Sequence, residues 1–294
     1  MPVQLGINPI GWSNDDLPEL GGATSLETCL SEARETGYAG IELGHKFPRA
    51  PEALRPVLAA HHLALISGWY STRLLTRSAD AEFAAARPHI DLLKAMGCRI
   101  FIGAETSNAV HGDRATPLSR RPHLAEADWP GFARRLTAFA EAVAREGLIV
   151  AYHHHMGTVV ETHAEIDRLM HFCGPAVTLL LDTGHATFAG ADPVALARIH
   201  AARITHVHCK DVRADVMARM KADEKSFLDS VVAGVFTVPG DGMVDFPAVL
   251  AALPAYTGWL VVEAEQDPAQ ANPLTYARLG HRNLSRFARA AGLL

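Results

Sequence analysis

Short, almost continuous apolar runs recur along the chain between longer stretches with helical spacing, and this rhythm restricts the fold more than any other feature. The runs are Leu5–Asn8, Ile41–Leu43, Leu63–Ser67, Arg99–Gly103, Leu148–Tyr152, Val177–Leu181, Ile204–His208 and Trp259–Glu263. Unbroken apolar character, rather than strict alternation, suits parallel strands covered on both faces. The segments between them carry helix signals. Thr24 or Ser25 caps a helix over Leu26–Glu35 that stops at Gly37. Phe132, Leu136, Phe139, Ala140 and Val143 form a stripe within Gly131–Glu146, and Thr162 caps Ala164–Phe172 ahead of Gly174-Pro175. Eight such βα units in 294 residues predict an α/β protein, a single (β/α)8 TIM barrel spanning 1–294 as one domain. A doubly wound open sheet fits less well, because no GxGxxG follows the first run. Two connections are long, Glu105–Pro130 and Val212–Asp245, and both follow strands, so a barrel puts them on its C-terminal rim, where active sites lie. The second reads as a helical stretch over Ala214–Val232 and then the turn-rich Val238-Pro-Gly-Asp-Gly242.

Composition narrows function by exclusion. With 49% hydrophobic and 20% charged residues the chain is neither disordered nor a small disulfide scaffold. Its 27 basic and 32 acidic residues give a net charge of −5 with no basic block, so no nucleic-acid partner is expected. No apolar run approaches the roughly 18 residues of a membrane span, so no membrane partner is expected either. Cys29, Cys98, Cys173 and Cys209 are scattered without a CxxC pair, and no charged-then-apolar leader opens the sequence; both features predict a reduced, cytoplasmic setting.

Histidine is over-represented, with 16 against 11 phenylalanines, and its placement carries the chemistry. The fifth run leads into His153-His154-His155, the sixth into Asp182-Thr183-Gly184-His185, the seventh into His206, His208, Lys210 and Asp211, and the eighth into Glu263 and Glu265. Alternation puts His153 with His155, His206 with His208 and Lys210, and Glu263 with Glu265 on common faces. Neighbouring strand ends thereby offer imidazoles and carboxylates to one volume. Mixed nitrogen and oxygen donors suit Mn²⁺, Co²⁺, Zn²⁺ or Fe²⁺ better than Ca²⁺ or Mg²⁺, and without thiolates this is no cysteine-rich structural zinc site. The plainer reading of each residue stands beside this one: a hydrogen-bonded rim histidine, Asp182 as a helix cap, Glu263 paired with an arginine, Cys209 as a packed small hydrophobe.

Longer segments bring a resemblance. Gly6-Ile-Asn-Pro-Ile-Gly-Trp12, Asn14-Asp-Asp-Leu-Pro-Glu-Leu-Gly-Gly22, Tyr152-His-His-His-Met-Gly-Thr158, Leu181-Asp-Thr-Gly-His185, His206-Val-His-Cys-Lys-Asp-Val-Arg213 and Phe236–Gly242 are among them. By these the sequence resembles the sugar-isomerase and epimerase barrels of the xylose-isomerase-like superfamily, and within it the myo-inosose-2 dehydratases of inositol catabolism. The resemblance implies a divalent metal on Asp182, His208 and Glu263. The superfamily's first glutamate is replaced by His153, which leaves His153, His155 or neither as the fourth ligand. It further implies Mn²⁺ or Co²⁺, a glutathione requirement, and a cyclitol ketone as the small-molecule partner. The implied reaction converts 2-keto-myo-inositol to a trihydroxycyclohexane-1,2-dione plus water; a ketose 3-epimerase or inosose isomerase is the alternative on the same barrel. An endonuclease would call for further metal-binding histidines on early strands and a basic face, and a metal-free binding barrel is the reading that the His153 departure favours. Proton-transfer candidates are His155, Lys210, Glu265 and His185. Trp12, Glu42, His45, Lys46 and Trp69 are candidates to bind cyclitol hydroxyls, while His206 and Asp211 are expected to orient ligand imidazoles. A homo-oligomer is expected by the same resemblance.

Overall fold

The computed structural model describes residues 2–294. Strands β1 (Gln4–Ile7), β2 (Gly40–Leu43), β3 (Ala64–Thr72), β4 (Ile100–Glu105), β5 (Ile149–His153), β6 (Val177–Asp182) and β7 (Ile204–Cys209) form in the expected runs. Two short strands, β8 (Asp211–Val212) and β9 (Phe236–Thr237), precede β10 (Trp259–Val262). β1 to β7 and β10 close a parallel barrel in chain order, with β10 hydrogen-bonded to both β7 and β1. The fold is the (β/α)8 barrel that the rhythm of apolar runs predicts.

The outer helices are α1 (Leu26–Thr36), α2 (Pro51–Ala60), α3 (Ala79–Ala95), α4 (Trp129–Arg145), α5 (His163–Phe172), α6 (Thr183–Phe188) and α7 (Pro193–His200). They continue with α8 (Ala214–Ala222), α9 (Phe227–Val232), α10 (Phe246–Ala251) and α11 (Pro273–Ala290). Local chemistry sets their ends as expected. Ser25 Oγ accepts the Thr28 N–H at the start of α1, Gly37 closes it at φ +105°, and Thr162 and Glu165 form a reciprocal capping box on α5. One expectation is corrected: Ala214–Val232 is two helices, because the chain turns at Glu224 (φ +49°) and restarts with Ser226 capping α9.

Strand alternation sorts the core into two. Leu179, Leu181, Val150, Tyr152, Val207 and Cys209 face outward into the packed layer beneath the helices. Ile100, Ile102, Ala151 and Leu180 face inward and fill the barrel. Above them the inward positions turn polar: Glu42, Ser67 and His206, then His153, Asp182, His208 and Glu263, all buried. A third apolar cluster lies outside the barrel. Leu17, Met156, Phe188, Val212, Met220, Phe227 and Phe236 join the rim segments to α8 and α9 beside the mouth. No helix among the described residues is long and apolar enough to cross a membrane.

Candidate metal centre and the groups around it

Four strand ends converge at the top of the barrel. One donor atom from each of His153, Asp182, His208 and Glu263 lies within 4.8 Å of all the others. Asp182 Oδ2 is 3.6 Å from His153 Nε2 and 3.5 Å from His208 Nδ1, and His208 Nδ1 is 2.7 Å from Glu263 Oε2. Despite this closeness, Asp182 Oδ2, His208 Nδ1 and Glu263 Oε2 have no partner in hydrogen-bond geometry among the described residues. The second nitrogen of each imidazole is engaged elsewhere. His153 Nδ1 donates to the His154 carbonyl at 2.6 Å, and His208 Nε2 lies 3.2 Å from Glu42 Oε1. With those nitrogens carrying the protons, lone pairs on two imidazoles and two carboxylates point at one another. Such a set is repulsive unless a cation sits among it, and the donor types fit a borderline divalent metal. In the absence of a cation the carboxylates of Glu263, Glu42 and Asp182 outweigh burial and hold a proton on His208 well above the ordinary histidine range.

The ligand set is supported from behind. Glu42 accepts from Asn8 Nδ2 at 2.7 Å, Ser67 Oγ at 2.7 Å and His206 Nε2 at 2.8 Å besides its contact with His208. Burial pushes Glu42 up, but the neighbouring imidazoles hold it well below the usual carboxylate range. Asp182 Oδ1 accepts the His185 N–H at 2.8 Å and caps α6, which leaves Oδ2 for the centre. Cap and candidate ligand are therefore one residue.

Beside this set stands a second group. Lys210 Nζ is 2.9 Å from His185 Nε2, 3.0 Å from Glu265 Oε2 and 3.2 Å from Glu263 Oε2, and it is buried. Burial disfavours its charge, but Asp182, Glu263 and Glu265 overcome this and keep it protonated. Glu265 is pushed up to about 8, chiefly by burial and then by Glu263 and Asp16, against the pull of Lys210. His155 Nδ1 donates to the Met156 carbonyl at 2.8 Å, so its free lone pair is on Nε2, 4.0 Å from Glu265 Oε1. Burial, with the charges of His111 and Lys210, keeps His155 neutral far below the usual histidine range.

The other predicted residues are placed as follows. Trp69 packs edge-on against His153 and His155, with centroids 5.3 and 5.4 Å apart, and forms an aromatic wall. Glu42 is corrected from a hydroxyl-binding residue to a support of His206 and His208, since both its oxygens are taken. Trp12, His45 and Lys46 are likewise not brought to the cluster. Trp12 Nε1 donates to Glu32 at 2.6 Å, and His45 pairs with Asp15 at 2.7 Å. The Lys46 ammonium donates to the carbonyls of Gly21, Gly22 and Thr24. The His45 and Lys46 contacts fasten the segment after β1 to the loop after β2, and that of Trp12 ties it to α1. Asp211 is corrected too: it orients no imidazole but accepts the N–H groups of Gly240, Gly242 and Val244. Sequence reasoning missed His111, which packs 5.1 Å from His155, and Phe227 and Phe236, which pack on His185. All three lie in the two long rim connections, but nothing in the local pattern marks one side chain there as inward-facing.

The sequence matches the family described as the xylose isomerase-like TIM barrel over residues 30–286. The chain belongs to this family. Among curated relatives, the rhizopine catabolism protein MocC of Rhizobium meliloti is 55% identical over 99% of this chain and 90% of its own length. An inosose dehydratase of Geobacillus thermodenitrificans is 45% identical over 94% of each chain. Among solved members of the fold, the IOLI protein with a bound zinc atom superposes with a TM-score of 0.67 at 15% identity, covering 98% of both chains.

Proposed function

We propose that this chain is a metal-dependent hydro-lyase that converts 2-keto-myo-inositol to a trihydroxycyclohexane-1,2-dione and water. The observation that carries the reading is the convergence of buried donor atoms from His153, Asp182, His208 and Glu263, three of them without a hydrogen-bond partner, beside His155 and the Glu265–Lys210 pair. The inosose dehydratases at 42–45% identity supply the substrate class. When bound by the four residues, Mn²⁺ or Co²⁺ supplies Lewis-acid stabilisation of the negative charge that develops next to the ketone, worth several kcal/mol.

The chain's own groups divide the proton work. His155 Nε2 is the base: its tautomer is fixed by the Met156 carbonyl, and it takes the proton from the carbon bearing hydrogen and hydroxyl beside the ketone. His185 is not available for this step, because its Nε2 faces the Lys210 ammonium. Glu265, protonated near neutral pH, gives its proton to the hydroxyl leaving from the next carbon, and Lys210 stabilises the carboxylate that results. The enol so formed tautomerises to the dione. Trp69 supplies an apolar wall for the ring, and the buried polar mouth limits water. The four buried, free cysteines suit the reducing cytoplasm that we assign to the enzyme.

The test is product mass. Purified protein with Mn²⁺ or Co²⁺, with and without glutathione, is incubated with 2-keto-myo-inositol. Loss of one water supports the lyase, and an isomer of unchanged mass supports the epimerase alternative. The 55% identity to a protein of rhizopine catabolism favours a second reading, in which the substrate is an intermediate of that breakdown. A rhizopine-derived substrate therefore forms a parallel arm.

A further inference from the structure

Three donor groups converge at the mouth, one of which, Glu42 with His206 and His208, is closed by its own hydrogen bonds and shares His208 with the four-residue set. Besides the four-residue set, His155, His185 and Glu265 each offer an atom within 4.8 Å of the other two, and all three are buried. Lys210 Nζ stands against this second set and also touches the first, at 2.9 Å from His185 Nε2, 3.0 Å from Glu265 Oε2 and 3.2 Å from Glu263 Oε2. We propose that the Lys210 ammonium is the resident second cation of this mouth, seated where His155, His185 and Glu265 would otherwise take up a second divalent metal.

The surroundings are built for an ammonium. Its stem lies against Gly184, where a Cβ would stand 2.4 Å from Lys210 Cγ, so α6 leaves the room that this side chain fills. Thr183 Oγ1 accepts the Lys210 N–H at 3.1 Å and donates to its carbonyl at 2.7 Å, which fixes the backbone beneath. The Phe236 ring lies 4.8 Å from Nζ, and this cation–π contact favours a monovalent organic cation over a hydrated metal. Yet the donor types are those that a borderline metal takes once the ammonium is gone: two imidazole nitrogens and one carboxyl oxygen. Lysine thus keeps the centre mononuclear and leaves His155 Nε2 free of metal.

This inference rests on the metal reading of the His153 set, and the experiment separates the two. Wild-type protein, Lys210→Met and Lys210→Gln are equilibrated with Mn²⁺ up to millimolar concentration. Bound ion per chain is measured, and electron paramagnetic resonance reports spin coupling. Wild type is expected to bind one ion, lost in Asp182→Ala. Either folded Lys210 variant is expected to bind two in a spin-coupled pair, and Lys210→Met with Glu265→Gln to return to one. A second ion in wild type, or a single ion in a folded Lys210 variant whose first site is saturated, overturns the inference. No ion in wild type overturns the metal reading itself and the inference with it.

Discussion

The backbone N–H of Asp182 donates to His154 Nε2 at 3.2 Å, so the middle histidine of the triplet, which points away from the mouth, holds the neighbouring strand at its candidate ligand. Burial keeps His154 neutral, down to about 3, so this nitrogen stays an acceptor across the working pH range. Replacing His154 with leucine strips a buried N–H of its partner, at a cost of about 1–3 kcal/mol. It also loosens Asp182. The expected result is a lowered melting temperature and a metal affinity weakened about 10-fold, in line with other outer supports of metal ligands, read by calorimetric titration. Unchanged affinity would show that His154 only packs.

Asp182 separates two roles in a single substitution. In Asp182→Asn the oxygen that caps α6 is retained while Oδ2 becomes an amide donor aimed at His153, His208 and the metal position. A capping asparagine is as good as aspartate, so the apo protein is expected to melt within a few degrees of wild type. Metal affinity is expected to fall about 100-fold or more, beyond what an outer support gives. A variant that unfolds without losing metal affinity first would return Asp182 to a purely structural cap.

The barrel was legible because each of its strands is covered on both faces, which writes an unmistakable apolar run. The convergence at the ends of β5, β6, β7 and β10 was legible because alternation puts the polar residues that follow each apolar run on the inward face, although the run alone left Asp182 readable as a helix cap, which it also is. The first two strand ends misled. Glu42, His45 and Lys46 have the polarity of binding residues, but their use in fastening loops and supporting imidazoles depends on contacts far along the chain, such as Glu42 with His206. Asp211 differed for a similar reason: its carboxylate binds three N–H groups of a turn about thirty residues on. His111 was silent because a rim loop has no period to give its side chains a direction.

The proposed base makes a clean kinetic prediction. His155→Gln removes Nε2 without touching the four-residue set, so Mn²⁺ affinity should stay within about 3-fold while kcat falls about 10²–10⁴-fold. His185→Gln, which removes only the partner of Lys210, is expected to cost less. Equal losses in the two variants would assign the proton transfer to the pair rather than to His155.

Gly157 ties the rim loop to the base. At φ +76° it adopts a backbone that side chains disfavour, and a Cβ there would stand 2.8 Å from the His111 N. Its carbonyl accepts the Val110 N–H at 2.9 Å, which seats His111 over His155. Gly157→Ala should cost about 1–2 kcal/mol from the left-handed conformation alone, and more as the loop gives way. For a chain of this size that corresponds to a melting temperature lowered by several degrees. KM is expected to rise with it, checked against Gly112→Ala, a site on the same loop with open space around it.

Glu161 sets a pH dependence of stability that its surroundings determine. It is buried beside Arg121, accepts the Gly157 N–H at 2.7 Å, and is pushed up to about 7, mainly by burial, with Arg121 and that N–H resisting. An acid whose folded pKa exceeds its unfolded value near 4.5 binds more protons in the native state. Its contribution is therefore most favourable below the unfolded pKa and is lost as pH rises through 4.5 to 7. Between pH 5 and 8 the loss amounts to about 2–3 kcal/mol. Glu161→Gln can still accept from Gly157 and does not ionise. Its stability relative to wild type, from urea unfolding, should thus rise by about that amount between pH 5 and 8. A difference that stays flat with pH, or moves the other way, would mean that Arg121 holds Glu161 ionised throughout.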